Sequence, residues 1–380
     1  MRHILLSLIF TITVSASVVG QGCVAIRQFS TCSPVLGQTN SSTGGEILVS
    51  MNYRYFKSFR HFRGTHEEPD RVTNNTEVIN HSHAMDFQLA YAVTNRLQVN
   101  LTLPFVLNSR SSLYEHGREE RNSTFSRGLA DVVVGANYWL VNPLSNRNWN
   151  VQVGLGVKLP TGNFNYSDIF YNVGPSGGPE TRPVDQSIQP GDGGFGALLQ
   201  GPAYYFLSDR YDLFVSGFYL FNPRGVNGTR TFRETLSPIL EPESIMSVPD
   251  QFSFRAGISG QISDGVSGFI GARYEGVPVH DVFGPSDGFR RPGNVLSVEP
   301  GINAMLGAWN LNFSVPIAVR RERPQSVTDM MVAVVISPLR TTGVGIPAPT
   351  AKIVACGGLM TAENSLIPNI PRFETAVVPP

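Results

Sequence analysis

The chain has 380 residues, and Lys+Arg and Asp+Glu stand equal at 29 each, so the formal net charge is zero. That balance excludes the basic excess expected of a nucleic-acid binder. Charged residues are only 15% of the total, while Gly (38) and Pro (27) are plentiful, which suits a protein of many turns rather than a helical one.

The chain begins like an exported protein. Arg2 and His3 lead into an apolar run from Ile4 to Phe10, continuing with Thr and Ser interruptions to Val19. Residues 1–20 read as a signal peptide, with Val18 and Gly20 as the small residues before cleavage. The run is short and mixed for a membrane anchor, and Gly20-Gln21-Gly22 before Cys23 is a poor lipoprotein box. No later segment is apolar for 18 residues, so no spanning helix is expected. Residues 21–45 are assigned to a periplasmic segment. Cys23, Cys32 and Cys356 are the only cysteines. In an oxidising compartment Cys23 and Cys32 are the candidate disulfide, and pairing of either with Cys356 stays open. Their spacing lacks the ligand set of a metal site.

From there on the pattern has a period of two. It is clearest at 83–107, where Met85, Phe87, Leu89, Tyr91 and Val93 alternate with Ala84, Asp86, Gln88 and Ala90. After a tight turn at 94–96, Leu97, Val99, Leu101, Leu103 and Phe105 alternate with Gln98, Asn100, Thr102 and Pro104. Such alternation describes strands with one apolar face. When tilted, each is long enough to cross a bilayer. Similar strands are expected at 46–59, 130–140, 149–159, 194–207, 211–221, 252–259, 266–276, 294–306, 309–320 and 327–337. The connections alternate between short turns and long polar segments. The expected fold is therefore all-β: an antiparallel transmembrane β-barrel over 46–337, of about twelve strands, with short periplasmic turns and long extracellular loops. Residues 338–380 form a Pro-rich tail, periplasmic or lumenal. Trp139, Trp149 and Trp309 flank short turns, where an aromatic girdle belongs.

A soluble sandwich or barrel would also alternate, with the apolar face inward. A ring of about twelve strands, however, is too wide for side chains to fill, and proteins do not leave dry voids of that size. The face opposite the apolar one carries Gly, Ser, Asn, Gln and charges of both signs. Arg54, Asp86, Asp131, Lys158, Asp212, Arg255, Arg273, Glu275, Glu299, Arg320 and Asp329 all fall there and are expected to line the lumen. Lys or Arg on a lipid face costs roughly 2–4 kcal/mol at the bilayer midplane, so this distribution places lipid outside.

Several segments then resemble a known family. Tyr91-Ala92-Val93-Thr94-Asn95-Arg96-Leu97, followed by Leu101-Thr102-Leu103-Pro104-Phe105, is similar to a hairpin motif of the bacterial outer-membrane barrels labelled the phenol-degradation meta-pathway or transporter-like family. Gly128-Leu129-Ala130-Asp131-Val132 resembles its strand start, with Ala130 in place of the usual Gly. Gly154-Leu155-Gly156-Val157-Lys158-Leu159-Pro160-Thr161-Gly162 resembles its strand end. The resemblance covers roughly 45–337 and implies the strand order and, loosely, passage of small molecules, aromatic ones included. The long tail departs from the family pattern.

Among the singled-out residues, Asp131 and Lys158 are read first as a lumenal ion pair holding the wall, and second as a constriction. Gly154 and Gly156 relieve crowding on the curved inner face, and Thr161-Gly162 makes a turn. His61, His66, His81 and His83, near Glu67, Glu68 and Asp70, are assigned to a solvated loop ahead of a metal site. Ser82 between His81 and His83 is the sole hint of a hydrolase. The expected function is an outer-membrane channel for small solutes, not an enzyme, without cofactor, with lipid as its partner and no nucleic acid. The alternative is a non-conducting barrel acting through its long loops.

Overall fold

The computed structural model describes residue 26, residues 44–324 apart from 147, 234, 235, 237, 239 and 308, and the backbone of 353–356. The expected signal peptide, Cys23, Cys32, Asp329 and the strand expected at 327–337 lie outside these residues.

The first strands are β1 (Ile47–Ser58), β2 (Phe62–Arg63), β3 (His66–Glu67), β4 (Ile79–Ala92), β5 (Leu97–Ser112), β6 (Asn122–Leu129) and β7 (Val133–Trp139). Then come β8 (Trp149–Lys158), β9 (Ser167–Phe170), β10 (Glu180–Pro183), β11 (Gly196–Phe206), β12 (Tyr211–Phe221), β13 (Val226–Arg230) and β14 (Ile245–Ser247). The last are β15 (Gln251–Ser263), β16 (Val266–Val277), β17 (Gly293–Leu306), β18 (Trp309–Ser314), β19 (Ile317–Glu322) and β20 (Ile353–Cys356).

Fourteen of these strands form one antiparallel sheet. Its order is β1, β4, β5, then β6 and β7 sharing one place, β8, β11, β12, β15, β16, β17, then β18 and β19 sharing one place, and β20. β20 pairs with β18 on one side and β1 on the other, so the sheet closes on itself. The ring has twelve places, since two of them hold a strand in two pieces. β20 lies within the expected tail; at this point the tail is neither periplasmic nor lumenal but the closing strand of the wall.

The two broken places have local causes. Between β6 and β7, Ala130-Asp131-Val132 leaves the ladder. The Thr161 hydroxyl takes over, accepting from Val132 N (2.9 Å) and donating to Ala130 O (3.0 Å). Backbone groups freed by the break are thus satisfied. Between β18 and β19 stands Pro316, which has no N–H for a ladder bond.

The faces sort as alternation requires. Leu155 is 64% exposed and Val153 and Val157 are exposed beside it, whereas Asn150 and Lys158 on the other face of β8 are fully buried. The same holds for Phe87, Leu89 and Tyr91 against Asp86, and for Phe254 and Ile258 against Ser253, Arg255 and Ser259. No helix of the described residues is long and apolar enough to cross a membrane. The crossing is made by strands whose exposed apolar belt suits hydrocarbon.

Two residues depart from the expected faces. A shift in the β17–β19 register pairs Leu296 with Arg320 but Ser297 with Ala318, leaving Val319 as an extra residue. Such a bulge re-aims the side chains beyond it. Arg320 is therefore exposed and paired with Glu322 at 3.1 Å, and Arg321 is buried instead. Trp139 is also turned in, because it shares the inward register of β7 with Val133 and Asn137. It packs edge-on against Tyr204 at 6.0 Å between ring centres and cannot serve the girdle. Trp149 and Trp309 are exposed beside short turns.

Substituting Leu155→Arg puts a charge on the outward face in mid-strand. It should lower stability in lipid by roughly 2–4 kcal/mol, measured by urea unfolding in bilayers. Gln152→Arg on the neighbouring inward position should cost far less.

Candidate functional site: the lumen and its mouth

Inward-facing positions hold charge in compensated groups. Arg255 on β15 and Arg273 on β16 stand directly opposite each other. Like charges at such a pair repel. Glu299 on β17 resolves this: one oxygen accepts from Arg255 Nε at 2.8 Å, and the other lies 3.5 Å from Arg273 Nη1 and accepts from Ser314 Oγ at 2.8 Å. Arg273 Nε also donates to Glu275 at 2.8 Å. All four charged side chains are buried, and their charges sum to zero. Arg54 and Asp86 are buried on the paired strands β1 and β4, beyond β18 and β20 from β17, where Asp86 faces Asn52 in register.

Asp131 and Lys158 do face inward but are not each other's hydrogen-bonded partner. Lys158 Nζ is held by the Asp192 carboxylate, from the long segment between β8 and β11. Asp131 accepts from the Gly162 and Asp192 backbone N–H groups, each at 3.0 Å. The two motifs at 128–132 and 154–162 thus meet in space and pin both ends of the segment 162–192. Gly162 and Gly191 make that closure sterically feasible, since a Cβ on Gly191 would stand 2.4 Å from Gly162 O. Gly154 serves the crowding role expected of it: a Cβ there would lie 2.1 Å from Asn137 Oδ1.

The pinned segment folds into the barrel mouth. Val184, Asp185, Gln186, Ile188, Gln189 and Asp192 are buried. The Ile188 carbonyl accepts from Asn108 Nδ2 at 3.2 Å and from the Ser126 hydroxyl, both on inward positions of the wall. Gln186 Nε2 donates to Ser247 O at 2.7 Å, and Asn227 Nδ2 to Asp192 O at 3.0 Å, tying in the segment between β12 and β15. Asp185 is the hub. It receives Arg291 through Nε (3.1 Å) and Nη2 (2.5 Å), and Arg110 lies 3.6 Å away, itself bound to Glu115 at 2.6 Å. Burial alone would raise the Asp185 carboxyl, but Arg110 and Arg291 outweigh it and hold the group below the ordinary carboxylate range. Its stabilising contribution is therefore fully present above the unfolded value and is lost progressively as the pH falls below it.

One part of the inner surface is apolar. Val133, Leu198, Phe218 and Leu220 are buried together with Ile26, which belongs to the segment before the barrel. Phe214 and Phe269 form a second pair, edge to face at 6.0 Å.

The remaining expectations resolve as follows. His81 and His83 lie on β4, not in a solvated loop, and their Nδ1 atoms bond the Tyr55 and Tyr53 hydroxyls at 2.8 and 2.7 Å. His61 is buried and accepts from Val78 N at 2.9 Å. Ser82 points to the opposite face from both neighbours and donates to Asn108 Oδ1 at 2.6 Å, so no Ser–His relay exists there. Sequence reading passed over Asp185, Asp192, Arg110, Arg291 and the apolar patch. The available signals were Asp185 and Asp192, the two charges of the otherwise neutral run 183–193, and the end of the strand at 211–221, which is apolar on both faces.

Glu299→Ala leaves two buried guanidiniums facing each other, and should cost roughly 3–5 kcal/mol in urea unfolding. His116, between β5 and β6, stacks on Phe170 and accepts from Tyr171 N at 3.1 Å. Burial lowers its pKa below 6.5, more than Glu115 and Asp168 raise it. The neutral ring is thus favoured when folded, and its contribution is present above 6.5 and lost as the pH falls below it. Amide protection in the segments 113–121 and 167–171, measured against the intrinsic exchange rate, should fall below that pH, and His116→Phe should remove that change in protection.

No family model matches the sequence, and no curated protein matches it. Among solved structures, the COG4313 outer membrane channel from Pseudomonas putida F1 is similar at 12% identity and TM-score 0.55, over 87% of this chain and 98% of that one. The Ralstonia pickettii toluene transporter TbuX is similar at 9% identity and TM-score 0.40, over 90% and 98%. The beta domain of the Bordetella autotransporter Brka is similar at 12% identity and TM-score 0.40, over 83% and 98%. The chain shares with the first of these the fold of an outer-membrane β-barrel.

Proposed function

We propose that the protein is a channel of the bacterial outer membrane that admits small solutes through a lumen narrowed at its outer mouth. The observation that carries this reading is the compensated inner wall. Arg255, Arg273, Glu275 and Glu299 line it with paired charge, and Asn52, Asn100, Asn137, Asn303 and Asn312 add neutral polar groups. A wall of that kind presents no net field to select one ion sign and suits uncharged or weakly polar solutes. Residues 1–20 would direct export, and the short turns would face the periplasm.

The inward segment 184–192 favours a second reading, a non-conducting barrel whose long loops act at the surface. Both make distinct statements about current. As a channel, the purified protein gives small conductance steps in planar bilayers, and Asp185→Ala, which removes the carboxylate that fastens the inward segment to Arg291, enlarges them about two-fold or more, as expected for a widened constriction. Silence from both the native protein and the Asp185→Ala variant would establish the non-conducting reading instead.

A further inference from the structure

A barrel whose bore is aqueous has no need of fully buried aliphatic side chains on its inner wall. Here the largest group of them among the described residues is gathered in one place. Val133 comes from β7, Leu198 from β11, and Phe218 and Leu220 from β12. β8 runs between β7 and β11, and at the matching level it contributes Gly156, in register with both Gly135 and Leu198. A Cβ there would lie 3.4 Å from Val133 Cγ1 and 3.5 Å from the Leu198 Cβ. The absent side chain therefore leaves a floor on which the neighbouring apolar groups close. The result is an apolar recess in a wall where Asn, Ser, Arg and Glu predominate.

The recess is filled by Ile26, which is 1% exposed. Its carbonyl accepts from Arg54 Nη2 at 2.7 Å. Arg54 belongs to β1, six places round the ring from β12. One residue of the segment before the barrel is thus anchored on one wall by its backbone and on another by its side chain. It spans the bore at that level.

We propose that Val133, Leu198, Phe218 and Leu220, floored by Gly156, form a binding seat for a small uncharged apolar solute, and that Ile26 occupies the seat until solute displaces it. The solute class follows from the lining, which places no side-chain polar group among these four residues to satisfy a charged or strongly hydrogen-bonding guest. The device is competitive: apparent affinity is reduced by the fraction of time the seat stands empty. This deepens the channel reading, on which its use in transport rests, but binding is measured without current.

Equilibrium dialysis of radiolabelled naphthalene against the detergent-solubilised barrel, with empty micelles as reference, tests it. Ile26→Ala shortens the stopper and lies outside the wall strands, and heat-dependent gel mobility verifies the barrel. Its naphthalene affinity should exceed that of the native protein by about tenfold or more. Adding Leu198→Asn, or Phe218→Asn should that variant not fold, should abolish the gain. Affinity unchanged by Ile26→Ala, or a gain that survives both seat substitutions, would overturn the proposal. A barrel that binds naphthalene in this way yet never conducts would refute the channel reading and leave the seat standing.

Discussion

Hydrocarbon offers no partner to a backbone N–H or C=O, so a sheet that enters a membrane must pair every edge. That constraint organises this molecule. It explains why β20 fills the gap between β18 and β1, and why the ladder interrupted at Ala130-Asp131-Val132 is repaired by a hydroxyl from Thr161. Once the ring is closed, alternation assigns each strand residue to lipid or lumen, and the bulge at Val319 shows how one extra residue reassigns those after it.

Inside, the opposite problem arises. Twelve places enclose more space than wall side chains fill, and the chain uses its own connections to occupy it. The segment 162–192 is pinned at both ends by Asp131 and Lys158, then fastened at Asp185 between Arg291 and Arg110. Buried charges of this sort are costly singly and tolerable when matched. The pairing of Glu299 with both Arg255 and Arg273 is the same solution within the wall. Lumen polarity and loop placement are thus two outcomes of one requirement, that no charge be left alone away from bulk water.

The barrel was legible because period two is a local signal. Leu97 to Phe105, or Trp309 to Phe313, declare their faces without reference to any other strand. The site was less so. Lys158 was visible as lumenal, but its partner Asp192 lies in a segment with no periodicity, and the pairing depends on how a loop of more than thirty residues folds back. Arg320 and Trp139 were misplaced for different reasons. A bulge leaves no mark in the sequence at Val319, whereas Trp139 stands on the same parity as Asn137, a local signal that its place beside a short turn outweighed. Leu198 and Leu220 escaped notice because their neighbours Leu199 and Phe221 are apolar too, which erases the contrast on which alternation relies.

The central claim is that the exposed aliphatic belt meets lipid while the buried polar face meets the lumen. Spin labels placed singly along β4, from 84 to 91, in a variant with Cys23, Cys32 and Cys356 replaced by Ser, read this directly through collisions with dissolved oxygen in bilayers. High oxygen accessibility is expected at 85, 87, 89 and 91 and low accessibility at the positions between them. Maxima at the intervening positions, or no alternation at all, would contradict it.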